Sequence, residues 1–126
     1  MKKVLITGSR NCSLEMIVYA KQIVKQAMEA GDEIIVGDAD GIDKYVIAEC
    51  DIKGVPVSVH GAYSRMRRRT LTGTNCIHSG NYTERDQLMA QKCDVCYAVW
   101  DGQSKGTKAT YDFAKSLGKG VCLKSF

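Results

Sequence analysis

Val4-Leu5-Ile6-Thr7-Gly8-Ser9-Arg10 opens the chain with a short apolar run that stops at a polar, glycine-containing turn. Such a run, rich in β-branched residues, reads as a buried strand. Ser13 then stands where a helix N-cap is needed. Leu14, Ile17, Ala20, Val24 and Ala27 recur at helical spacing, with Lys21, Lys25 and Glu29 on other faces. Gly31 follows, in the place of a C-terminal glycine.

The alternation continues along the chain. Residues 33–36 form a second strand-like run and lead into Gly37-Asp38-Ala39-Asp40-Gly41-Ile42-Asp43. A helix over about 43–51, with Asp43 as its cap or equally as a ligand contact, ends at Gly54. Residues 55–59 are the third strand, with the only proline of the chain, Pro56, at its start. Residues 61–80 carry Gly61, Gly73 and Gly80 among many Thr, Ser, Asn and Arg residues. They read as a long loop with a helical turn near 63–69, and a loop of that length is usually functional. Thr83 caps a third helix over 84–92, residues 94–100 form the fourth strand, 107–117 the last helix and 121–123 the fifth strand. The expectation is a single domain over 1–126: a Rossmann-like three-layer α/β/α fold with a mostly parallel five-stranded sheet and a loop or lid insertion at 61–80.

Composition agrees with one such unit. The chain has 126 residues, of which 44% are hydrophobic, enough for one core. No run approaches the roughly 20 apolar residues of a membrane span. Met1-Lys2-Lys3 leads straight into the first strand, so no signal peptide is expected and the protein is expected to be cytoplasmic. The net charge of +4 is concentrated at Arg65, Arg67, Arg68 and Arg69, a local anion-binding patch rather than a uniform face for duplex DNA. The six cysteines are scattered, and Cys93-x-x-Cys96 is the only paired spacing. With His60 and His78 the only histidines, small buried or half-buried thiols are favoured over a zinc site, and no metal or cofactor is expected.

Ligands on parallel sheets bind beyond the carboxyl ends of the strands, where the strand order reverses. Three polar turns converge there. In the first, Gly8 allows close backbone approach, Ser9 offers a hydroxyl and Arg10 a fork for phosphate. In the second, Gly37 and Gly41 open a helix start, with Asp38 and Asp40 suited to ribose hydroxyls. A calcium loop there lacks its later glutamate. In the third, Ser104-Lys105-Gly106-Thr107 opens the last helix as a phosphate cradle without a P-loop pattern. Arg85, in Glu84-Arg85-Asp86, sits against the helix dipole, which a ligand or a neighbouring acid would compensate. Trp100, at a strand end, suits either ring stacking or the core.

Taken together, Val4–Arg10, Gly37–Asp43, Glu84-Arg85-Asp86-Gln87-Leu88-Met89 and Ala98–Thr107 resemble the SLOG superfamily, and within it the small YspA-like proteins. The resemblance covers most of the chain outside 61–80. It implies a Rossmann-like fold and a nucleotide-derived ligand of the ADP-ribose or NAD-derivative type, held as by a sensor or sponge. Related Lonely-guy phosphoribohydrolases use a P-G-G-x-G-T-x-x-E motif. Here Gly106-Thr107 matches its G-T pair, while Thr110 takes the place of the glutamate and Asp101-Gly102-Gln103-Ser104 replaces P-G-G. An N-glycosidic hydrolase is therefore the alternative, with Glu84 or Asp86 as candidate acids. DprA-type DNA-processing proteins carry a turn similar to residues 39–43, which makes single-stranded nucleic acid the second alternative, served by Tyr63, Tyr82 and the arginine cluster. A homo-oligomer without membrane contact is expected, as among related proteins.

Overall fold

The apolar runs are too short to fill more than one layer, and their alternating side chains need cover on both faces. A computed structural model describes residues 1–126 and meets that need with ten elements: β1 (Lys3–Gly8), α1 (Leu14–Ala30), β2 (Glu33–Gly37), α2 (Ile42–Lys53), β3 (Val57–Gly61), β4 (Thr74–Ile77), α3 (Tyr82–Lys92), β5 (Val95–Trp100), α4 (Lys105–Ser116) and β6 (Gly120–Ser125). Val4, Ile6, Ile34, Val36, Val57 and Val59 face one core, closed by Met16, Ile23 and Val24 of α1 and by Ile42, Val46 and Cys50 of α2. Leu5, Ile35 and Cys96 face the other, closed by Met89 and Ala90 of α3 and by Ala114 of α4.

The sheet order is β4-β3-β2-β1-β5-β6, and every neighbouring pair is parallel. β1 is central: Leu5 lies opposite Ile35 of β2 and opposite Cys96 of β5. The chain moves outward from β1 to β4, then returns across the sheet to β5. The order reverses between β1 and β5, so the connections leaving these strands diverge and a crevice opens beyond them.

The Rossmann-like α/β class is as expected, with two corrections to its parts. The sheet has six strands rather than five, because Thr74–Ile77 pairs with β3 inside the segment read as a loop. This strand is four residues long and has no buried residue, so it carries no apolar pattern. Helix caps differ as well. α3 begins at Tyr82 behind Asn81, not Thr83, and Asn81 and Glu84 form a reciprocal capping box. α2 begins behind Gly41, and Asp43 lies within its first turn rather than capping it.

All six cysteines are free, and Cys50, Cys93 and Cys96 are buried. Burial pushes the thiols of Cys50 and Cys96 up to about 12, so they pack as small apolar groups. No helix is long and apolar enough to cross a membrane.

Candidate functional site

The turns after β1, β2 and β5 are tied together at Ser9. Its N–H donates to the Val99 carbonyl (3.1 Å), its carbonyl accepts from Ile42 N–H (3.2 Å), and its hydroxyl accepts from Asp101 N–H (3.1 Å). Gly41 makes this closure possible: its φ is +78°, and a Cβ there would stand 2.3 Å from the Arg10 carbonyl oxygen. Around the knot lies a cleft of about 250 Å³, bounded by Thr7 and Gly8 at the end of β1 and Arg10 after it, Gly37, Ala39 and Asp43 around the second turn, Arg67, Tyr82, Arg85 and Asp86 on one wall, and Ser104, Gly106 and Thr107 at the start of α4. Asp86 and Gly106 also border a side recess of about 90 Å³ between α3 and α4, which contains Thr110 and Phe113.

A buried charge network forms the wall. Asp38 accepts from Arg67 N–H (2.8 Å), Arg67 Nη2 (2.8 Å) and Arg85 Nη1 (2.9 Å). Burial works to raise the Asp38 carboxyl, but these arginine bonds outweigh it and hold the group below its ordinary value. Arg85, whose side chain is 6% exposed, also donates from Nε to Asp86 (2.8 Å) and from Nη1 to the His60 carbonyl (2.7 Å). Those bonds leave Nη2 without a protein partner. Burial raises Asp86 above the usual carboxylate range, opposed by Arg85 and by the nearby Thr110 hydroxyl. Asp43 is more deeply affected. Burial pushes it up to about 7, against the Ala39 N–H bond and Arg85, with Asp86 and Asp38 adding to the rise. Tyr82 lies beneath both guanidinium groups, 4.2 Å from that of Arg67 and 5.1 Å from that of Arg85, and meets Tyr63 edge to face.

Of the residues predicted from sequence, Gly8, Arg10, Gly37, Arg85, Asp86, Ser104, Gly106 and Thr107 line the cleft. Ser9 and Gly41 build it from behind. Asp38 is sealed under Arg67 and Arg85, and Asp40 points to solvent and pairs with Arg68, so neither carboxylate, read from the sequence as suited to ribose hydroxyls, borders the cleft. Glu84 is occupied in the α3 capping box. Trp100 donates its indole N–H to the Ser104 carbonyl (2.9 Å), which fixes the approach to α4. Asp43 reads from the sequence equally as a cap or as a ligand contact, and Arg67 and Tyr82 only as parts of the 61–80 loop and a nucleic-acid platform. Their meeting depends on contacts across 29 residues (Arg67 to Asp38) and across the sheet, for which no local pattern exists. His60 Nδ1 and His78 Nε2 bond to each other at 2.8 Å, and no group of three or more His, Cys, Asp or Glu side chains is arranged to hold a metal ion.

No protein-family model matches the sequence, and no curated protein is similar to it. Solved structures are similar in shape. The molybdenum cofactor binding protein of the phototrophic bacterium Rippkaea orientalis superposes with a TM-score of 0.87 at 12% identity, over 99% of this chain and 77% of its own. The Moco carrier protein of Chlamydomonas reinhardtii superposes at 0.79 with 19% identity, over 99% and 77%. DNA processing protein A of Helicobacter pylori, described for its single-stranded DNA binding mode, superposes at 0.75 with 16% identity, over 97% of this chain and 64% of its own. The chain shares the Rossmann-like α/β fold of these proteins. In that fold the cleft described above lies at the reversal of strand order, between the carboxyl ends of β1 and β5.

Proposed function

We propose that the chain binds a phosphate-bearing, nucleotide-derived small molecule of the ADP-ribose or NAD-derivative type in this cleft and holds it without converting it. The observation that carries the reading is Arg85: a guanidinium almost wholly buried, fixed by three bonds, with Nη2 left without a partner in a polar cleft. Its orientation is settled before a ligand arrives, so an oxyanion meets a preorganised donor. Arg10 and the first N–H groups of α4 serve the same charge from the opposite side. Fold neighbours named for a molybdenum cofactor support a small-ligand role at the level of class.

Native mass spectrometry with a panel of nucleotides, NAD and ADP-ribose tests the reading: one compound is retained at unit stoichiometry and recovered unchanged. Gly106→Glu is the matching variant. A Cβ at position 106 meets nothing within 4 Å, so the fold tolerates the change while a carboxylate enters the anion site. Affinity should fall at least about tenfold, the effect of like charge replacing a favourable helix terminus. Unchanged affinity would remove α4 from the site.

One observation favours the hydrolase as a second reading. Asp86 borders both the cleft and the recess that holds Thr110, the position where related hydrolases carry glutamate. Its raised pKa suits a proton donor to a leaving group. On this reading Asp86→Asn abolishes release of free base and sugar phosphate while leaving substrate binding in place, as a direct product assay would reveal. A cleft that only binds yields no product with either protein.

A further inference from the structure

Three acidic side chains surround the Arg85 guanidinium, and the arginines serve them unequally. Asp38 takes bonds from Arg67 and Arg85, and Asp86 takes Arg85 Nε. Asp43, only 6% exposed, enters no ion pair. Its Oδ2 accepts one hydrogen bond, from Ala39 N–H at 3.1 Å, and its Oδ1 has no protein partner. No wholly buried side-chain oxygen of the protein lacks a partner, so Oδ1 keeps an opening, and the cavity that Asp43 lines is the cleft. Gly37 leaves the approach clear: a Cβ there would stand 2.8 Å from Oδ2 and 3.1 Å from Arg85 Nη1.

An ionised carboxylate in this place would face two other acids, Asp38 from the β2–α2 turn and Asp86 from α3. The cations that face it, Arg85 from α3 and Arg67 from the β3–β4 connection, are already bonded to those acids. Buried carboxyls so placed take up a proton rather than remain charged. A neutral Asp43 accepts from Ala39 through one oxygen and offers an O–H from the other, and the cavity that Asp43 lines is the cleft.

We propose that Asp43 meets the ligand as a neutral carboxylic acid and donates its proton in a hydrogen bond to an oxyanion of the ligand, so that the cleft binds anionic compounds together with a proton. The inference rests on the small-ligand reading above and deepens it. Arg85 Nη2 and the Asp43 hydroxyl are then donors of different charge in one cleft, and the ionised form of Asp43 repels the oxyanion that its neutral form binds. Affinity is full where Asp43 holds its proton and declines above that range.

The test uses ADP-ribose, whose diphosphate keeps a constant charge near neutrality. Titration calorimetry in buffers of different ionisation enthalpy should give constant affinity on the acid side. Above about pH 7 it should fall by up to about tenfold per pH unit, with uptake approaching one proton per ligand. Asp43→Asn keeps a donor and removes the charge, so it should bind ADP-ribose with no such pH dependence and no proton uptake. Identical profiles for the variant and the wild type would overturn the proposal. Carboxyl-carbon NMR of the ligand-free wild type reads Asp43 whether or not the variant folds: titration near neutrality supports the proposal, and a midpoint in the ordinary carboxylate range overturns it. Failure of ADP-ribose to bind at any pH while Asp43 holds its proton to neutrality counts against the ligand class above. Sulfate, an oxyanion of constant charge, then carries the same pH test.

Discussion

Asp43 shows how one residue changes meaning between sequence and structure. At the start of a helix an aspartate is ordinarily a cap, a carboxylate stabilised by backbone N–H groups. Here the N-cap position belongs to Gly41, and Asp43 stands two residues further on, within the first turn and on the cleft wall, where one backbone N–H is its only bond. Its pKa of about 7, against an ordinary 3.8, sets a sign for stability. The folded chain holds this proton more tightly than the unfolded chain. The contribution of Asp43 is therefore full below about pH 4 and is lost as pH rises toward 7, since the folded state alone stays protonated between those values. Asp43→Asn should flatten that part of the profile, so that thermal melts at about pH 5 and about pH 8 differ less than in the wild type by several degrees. Asp38 contributes in the opposite direction: its lowered pKa gives stability above the ordinary carboxylate range that is lost as the solution becomes acidic.

At the scale of elements, the strands and helices were legible because each repeats a period. Leu14 to Ala27 follow a helical stripe, Val4 to Ile6 form a buried run, and glycines close the helices, Gly31 with φ +74° and Gly54 with φ +70°. β4 was not legible, because an edge strand of four residues without a buried side chain has no apolar period; it exists because β3 offers it an open ladder. The β2–α2 turn depends on an element-level fit. Gly41→Ala would force a side chain into a conformation suited to glycine and against the Arg10 backbone. It should cost about 3 kcal/mol and pull the β1–α1 turn away from α2. Chemical denaturation measures the cost, and amide exchange at Ile42, bonded to the Ser9 carbonyl, reports the separation.

For the whole molecule, the basic cluster divides into two kinds of arginine. Arg67 and Arg68 are drawn down onto Asp38 and Asp40, which ties the 61–80 segment to the second turn. Arg65 and Arg69 form no ion pair and lie outside the cleft. Replacing both with serine should leave ADP-ribose affinity within about twofold, because neither lines the cleft and exposed charges are screened by solvent and salt. Anisotropy with an oligothymidylate is the contrast: strong binding that falls steeply with salt and is lost in this double variant would favour nucleic acid as the partner. What the sequence determined by itself was the alternation of strands and helices, the two-sided cover of a parallel sheet and the convergence of three polar turns on one edge. Each of these follows from periods and breakers within about twenty residues. Only the tertiary structure decided that β4 closes the sheet, that Asp38 is consumed by Arg67 and Arg85, and that Asp43 is left unpaired beside them. Those outcomes depend on which charges reach one another across the sheet, and burial and distance do not exist until the chain has folded.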